Sequence, residues 1–421
     1  MWVQLTNRIA AGCLLLALGS ASVAQSNTDT LIDFDEAIAN TLESNPALLA
    51  FGYQITAQQG RVTQSGVGPS VELGVMLENA VGTGEFSGVD GAEATISLAW
   101  SLERGKRQRR VDAARAGLSM LESEAELKRL EAAADTARLY LETLAYQAEV
   151  DLSDEAVGLA EKTVAVVQRR VDAGRSPKAD LARAEVDLSR LQLEREDLEH
   201  ELLTSTRRLA AQWGKTNPAF TRVRGDLANL PQPDSYAEML ARVEQSPNLR
   251  RFLSERRLRE AELRRIEAEA KPDWRLTAGV RQMQLTDDQA LVAGISIPFG
   301  GEKRNSGNTA AARADLARSD ADKAATRVRI ETRLFALYEE LKHSLHRAET
   351  LRDDILPRVE LALSETQRAF DTGRYSYYEL RIAQNEALRA RTEASVALID
   401  AHRNVLEIEA LTGAALSSPT R

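Results

Sequence analysis

The chain has 421 residues and a formal net charge of −9, with 54 basic residues interspersed among 63 acidic ones. That balance offers no basic stripe for nucleic acid, so no nucleic-acid partner is expected. Aromatic residues make up only 5%, while Ala, Leu, Glu, Arg and Asp dominate, which is the composition of long helices and coiled coils.

The first segment reads as an address rather than as structure. Arg8 supplies a positive start, Ile9 to Leu18 is a short apolar run, and Ser22-Val23-Ala24 is a small-x-small cleavage site. Residues 1–24 are therefore expected to be a signal peptide, with the mature chain starting near Gln25. Cys13, the single cysteine, lies inside that apolar run. Its removal excludes disulfides, thiolate metal sites and cysteine nucleophiles. No later run approaches about 18 apolar residues, the length of a membrane-spanning helix. A membrane role would have to use strands.

Asp33 or Asp35 can cap a helix running to about Gly66. Then SVELGVMLE (70–78) alternates apolar and other residues, and a Gly-rich loop (79–91) leads to ATISLAWSL (94–102). In the second of these strands Ile96, Leu98, Trp100 and Leu102 fall on one face, opposite Thr95, Ser97, Ala99 and Ser101. Period two over about nine residues is the strand signal, and that length suits a membrane-spanning strand. A helical arm follows from about Gly105 to Gly174, and a shorter one from Pro177 to about Gly214. The pattern then recurs: a helix at about 236–270, strands DWRLTAGVR (273–281) and LVAGISIPF (291–299) joined tightly near 286–288, an arm from Asn305 to Gly373, and a last helix from Ser376 to Gly413.

The recurrence is written in residues as well as in element lengths. VDAGRSPKADLARAE (171–185) and FDTGRYSYYELRIAQ (370–384) share a Gly-Arg turn followed by an acidic residue and Leu. LERGKRQRRVDAARAGL (102–118) pairs with FGGEKRNSGNTAAARADL (299–316), and SNPALLAF (44–51) with SPNLRRFL (246–253). The chain reads as two repeats, 25–230 and 231–421, each a helix, a strand pair, a long helix, a tip turn and a helix. An arm of about 70 residues reaches roughly 100 Å at 1.5 Å per residue. Each half can place one such arm beside two stacked shorter helices, strands at one end and Gly-Arg turn at the other.

Four spanning strands cannot close a barrel, because the smallest membrane barrels have about eight and an open edge in lipid leaves backbone groups unsatisfied. The strands must join a shared barrel, and three copies would supply about twelve, a plausible pore. Trp100 and Trp274 lie at the helix end of their strands, where an interfacial aromatic girdle belongs; the alternative is a soluble core.

On these strand pairs, tip turns and duplicated layout, the chain resembles the TolC-type outer-membrane efflux family over nearly all of its mature length. SLERGKRQRRVDAARA (101–116) and ISIPFGGEKRNSGNTAAARADL (295–316) look like its CzcC-like heavy-metal branch, although Phe299-Gly300-Gly301-Glu302 departs from the usual Leu-Phe-Asp. The resemblance implies a mainly α fold with a small β part: a homotrimeric helical tunnel through the periplasm and a 12-stranded barrel in outer-membrane lipid. It implies partners too, a periplasmic adaptor and an inner-membrane RND transporter, and a passive duct for metal cations or small toxic compounds. Glu379 matches an acidic position that narrows the tunnel mouth in this family, while Ile382 fills a second position where aspartate is common. A solvated glutamate is the alternative.

Tyr375, Tyr377 and Tyr378 follow the second turn and can lock helices or simply pack. Gly174, Arg175, Gly373 and Arg374 form the tip turns, where glycine permits a positive φ or a close approach by the adaptor. His343 and His346, with Glu339 one turn before, are the candidates for a metal site, against which stands a solvated helix face without a third strong ligand. No triad, phosphate loop or carboxylate dyad is visible, so neither catalysis nor a cofactor is expected. The rival readings are a periplasmic adaptor and an extracytoplasmic coiled-coil scaffold.

Overall fold

The computed structural model describes residues 31–418; the expected signal peptide, 1–24, lies outside them. A two-residue strand β1 (Leu31–Ile32) opens the fold, followed by α1 (Phe34–Ser44) and α2 (Pro46–Ser65). The single helix expected to Gly66 is thus broken at Asn45. The residue before a proline is pushed out of the α region. Asn45 is extended, at φ −62° and ψ 122°, and its side-chain oxygen accepts the backbone N–H groups of Ala47 and Leu48 at 2.9 and 3.1 Å. The counterpart Ser246-Pro247 divides the expected 236–270 helix in the same way, into α5 (Tyr236–Val243) and α6 (Pro247–Glu269).

Strands β2 (Glu72–Glu78) and β3 (Glu93–Leu102) lie close to their expected limits. The long helix α3 runs from Lys106 to Asp172, 67 residues, and α4 (Lys178–Ala211) returns beside it. A second short strand, β4 (Arg222–Val223), pairs in parallel with β1, which no sequence pattern announced. After α6 come β5 (Trp274–Met283) and β6 (Asp288–Ser296). The last strand therefore stops three residues short of its expected end, at the residue before Ile297-Pro298, because proline has no N–H for the ladder.

The second long arm is α7 (Gly301–Thr350) and α8 (Leu356–Asp371), joined without a break through one π turn at Leu351–Ile355. The π turn precedes Pro357, whose ring would clash with the carbonyl four residues back in a regular helix. Helix α9 (Tyr377–Thr412) closes the chain.

The four longer strands form one antiparallel sheet in the order β2-β3-β5-β6. The β3–β5 ladder, from Glu93↔Met283 to Leu102↔Trp274, joins the two halves of the chain. Midway along the helices lies the largest buried cluster, including Phe34, Tyr140, Leu141, Leu209, Phe220 and Leu406. Tyr140 stacks edge-on against Phe34 at 5.3 Å, and its hydroxyl lies 3.0 and 2.6 Å from the carbonyls of Ile32 and Arg224. Gln147 clamps Val223 through both backbone groups. The small parallel pair is thereby tied to the middle of α3.

Candidate functional site

Two ends of the molecule carry side chains with something to do. At the sheet end, register and alternation put most of the large apolar residues on one face. Leu73, Leu98, Ala278 and Ala293 lie across it in one row, and Val75, Ile96, Val280 and Leu291 in the next. This face is open to solvent: Leu73 is 68% exposed, Val75 74% and Leu291 89%. The opposite face is mainly polar, with Met76, Met283 and Val292 its large apolar exceptions. Arg281 there donates to Glu78 at 2.7 Å, to Glu93 at 2.7 Å and to the Thr95 hydroxyl at 3.0 Å, bridging three strands. Arg275 pairs with Glu72. Trp100 and Trp274 both sit on the apolar face at its helix end, and the Arg104 guanidinium stacks over the Trp274 ring at 5.1 Å.

At the far end, the two Gly-Arg turns are built alike. In the first, Gly174 has φ +69°, its N–H donates to Val171 and that of Arg175 to Arg170. In the second, Gly373 has φ +80°, its N–H donates to Phe370 and that of Arg374 to Ala369. Both are Schellman ends, which need a left-handed residue and explain the glycine. The turns then hold each other. Arg170 donates to the Phe370 carbonyl at 2.6 Å and lies 4.4 Å from its ring centre. Val167, Ala184, Phe370, Tyr377 and Leu380 form a small buried core between the hairpins.

Of the three tyrosines, Tyr377 is the buried one; Tyr375 and Tyr378 are exposed. The Tyr377 hydroxyl donates to Asp187 on α4 at 2.9 Å, and Arg381 stands 3.9 Å from the same carboxylate oxygen. Burial, and after it the bond to Asp187, push the Tyr377 phenol well above its usual range. Arg381 also stacks on Tyr378 at 5.6 Å. Glu379 is exposed, and its carboxylate is engaged by its own helix. It accepts the Ser376 backbone N–H at 2.6 Å and the Ser376 hydroxyl at 2.9 Å, while Ser376 caps the Glu379 N–H. The Ser376 N–H, followed by its hydroxyl, holds the Glu379 carboxyl below the usual carboxylate range.

Sequence reasoning missed Asp187, Arg381 and Arg170. Only the spacing of Tyr378 and Arg381, three residues apart on one helix face, could have marked Arg381. Asp187 lies 190 residues from its partner and carried no local signal. His343 and His346 lie on an exposed helix face. Glu339 is bonded to Lys342 at 3.1 Å, and no group of three or more metal-ligating side chains occurs among the described residues. Among those residues, too, no helix is long and apolar enough to cross a membrane.

A family model described as "Outer membrane efflux protein" matches residues 37–215. The cobalt-zinc-cadmium resistance protein CzcC of Cupriavidus metallidurans is 24% identical over 382 residues, 88% of this chain and 90% of that one. The nickel and cobalt resistance protein CnrC of the same organism is 24% identical over 71% of this chain and 72% of its own length. Among solved structures, the outer membrane protein VceC of Vibrio cholerae superposes with a TM-score of 0.72 at 17% identity, covering 91% of this chain and 97% of that one. CusC superposes with a TM-score of 0.68 at 15% identity, covering 91% and 93%.

Proposed function

We infer that this chain belongs to the outer membrane efflux protein family and is the passive exit duct of a tripartite efflux system in the outer membrane of a Gram-negative bacterium. The observation that carries the reading is the sheet. One face carries a broad, exposed apolar band, the outer strands β2 and β6 each lack a partner on one side among the described residues, and the sheet stands at the end of arms roughly 100 Å long. Such a face is unstable in water and such edges are unstable in lipid. Both are relieved if three copies close a 12-stranded barrel, apolar face to the acyl chains and Arg281 face to the lumen. The adaptor and scaffold readings leave the apolar face unexplained.

On this reading the helices cross the periplasm and the Gly174–Arg175 and Gly373–Arg374 turns meet an adaptor, which couples the duct to an inner-membrane RND transporter. Residues 25–230 and 231–421 are the two repeats, preceded by a signal peptide. The tip is the gate. The Tyr377–Asp187–Arg381 contact and the Arg170–Phe370 clasp hold the two hairpins of one chain together, and opening requires them to part. Glu379, Tyr375 and Tyr378 are the exposed residues there that can line the entrance. The transport step needs no catalysis by the duct, because the pump supplies the energy.

The cargo we assign is heavy-metal cations such as cobalt, zinc or cadmium, on the resistance functions named for CzcC and CnrC. Organic compounds are the alternative for a duct of this fold. Deleting the chain from its host should sensitise cells to these metals and leave their tolerance of dyes and detergents intact. The opposite pattern assigns the duct to a drug pump. Purified protein should run as a heat-modifiable trimer from the outer-membrane fraction and conduct in planar bilayers; a soluble monomer would sink the duct reading.

A further inference from the structure

The junction between sheet and helices carries several cations. Extending the register of the β3–β5 ladder past Leu102↔Trp274 puts Arg104 level with Pro272. Extending the β5–β6 ladder past Arg275↔Ser296 puts Pro272 level with Phe299. Arg104 also continues the alternation of Trp100 and Leu102, so it belongs to the apolar face, and its guanidinium is held over Trp274 there. Phe299 is 84% exposed at the same level. Arg304 donates to the Phe299 carbonyl at 2.8 Å. Beside it lies a surface cleft of about 640 Å³ lined by Lys271, Pro272, Pro298 and Phe299.

Apart from Glu302, the acids of this junction are already engaged. Lys106 takes Asp273 at 2.8 Å, and Arg110 takes Glu103 through two hydrogen bonds. Glu302 is the acid left over among the neighbours in sequence. Arg104, Lys271 and Lys303 are exposed and make no ion pair among the described residues. An aromatic belt with unpaired cations just beyond it, on the helix side, matches the phosphate layer of a bilayer in both depth and charge.

We propose that Arg104, Lys271 and Lys303 form a collar that binds the phosphates of anionic glycerophospholipids in the inner leaflet of the outer membrane. The proposal rests on reading the sheet as part of a barrel in that membrane. Full-length assemblies would be reconstituted in phosphatidylcholine alone and in phosphatidylcholine mixed with phosphatidylglycerol, returned to detergent, and examined by native mass spectrometry for retained lipid. The native protein should retain phosphatidylglycerol in preference, and the preference should weaken about fivefold for each cation removed in Arg104→Gln, Lys271→Gln and Lys303→Gln. Arg129→Gln, on an exposed part of α3 away from the sheet, should change nothing. If the triple variant fails to assemble, the single Arg104→Gln variant decides. Equal retention of the two lipids, retention unchanged in the variants, or displacement of phosphatidylglycerol by inorganic phosphate at equal concentration would overturn the collar. Conductance in pure phosphatidylcholine keeps the barrel reading separate: channels there without any lipid preference sink the collar alone, and channels in neither bilayer sink both.

Discussion

Glu379 has two jobs that a single substitution confuses. Its charge can attract cations at a narrow mouth, and its carboxylate completes the capping box that starts α9. Glutamine also serves in a capping box, so Glu379→Gln removes charge and keeps the helix start, whereas Glu379→Ala removes both. In planar bilayers Glu379→Gln should weaken cation selectivity with little change in conductance, whereas Glu379→Ala should weaken selectivity and also raise conductance. Asp180→Ala, six residues past Gly174, is the control with the smaller effect. Identical records from the native and Gln proteins would take the charge out of the gate. The pH dependence has a definite sign. Because the folded carboxyl is depressed, the box persists above and somewhat below the ordinary glutamate pKa of about 4.3, and is lost as pH falls further through the folded value. The tip contact itself is tested by Asp187→Asn and Tyr377→Phe. Each loosens α9 from α4, so each should raise conductance. Tyr377→Phe should do so less, since Arg381 still faces Asp187.

At the level of elements, the sheet's phase decides which substitutions matter. Leu98 is on the apolar face and Ser97 on the polar one, where it lies between Gly74 and Gly279 in the register. Leu98→Arg should cost about 2–4 kcal/mol near the midplane and reduce assembly, while Ser97→Arg has the room left by two glycines and should assemble normally. Matching yields of trimer on gels would mean that the faces are reversed. The FGGE stretch, unusual beside the family pattern, also has a local reason. Gly300 sits at φ +80° before α7, and a Cβ on Gly301 would lie 2.1 Å from the Ala270 carbonyl oxygen, where the backbone cannot yield. Gly301→Ala should therefore force the end of α6 away from α7 at a cost of about 1–3 kcal/mol or more, read as a lower melting temperature.

For the molecule as a whole, the midpoint of the helices is the anchor. Tyr140 is fully buried, with burial pushing its phenol far above the usual range. It joins the carbonyls of β1 and of the segment after β4 to the long helix. Tyr140→Phe keeps the packing on Phe34 and strands two carbonyls, so it should cost about 1–3 kcal/mol. Thermal unfolding would show this, with sheet-end and tip behaviour unchanged. An unaltered melting temperature would mean that water replaces the hydroxyl and that the parallel pair is held by Gln147 alone.

What the sequence determined without help was everything periodic. Strand alternation at 94–102 and 273–281, the proline-free arm to Gly174 and the doubled Gly-Arg turns are local signals, because side-chain direction repeats every two residues in a strand and backbone conformation at a turn depends on a few neighbours. Helix breaks at Asn45 and Ser246 were legible too, since each precedes a proline, but composition drowned them. Tertiary structure alone decided the rest. The β1–β4 pair is two residues long and has no period to detect. Asp187, Arg381 and Tyr377 meet only because α4 and α9 come to lie side by side. The Ser376–Glu379 capping box, by contrast, is a local pattern of a serine three residues before a glutamate, written in the sequence itself. Contacts between segments 190 residues apart depend on where the long helices place them, and no local pattern carries that information.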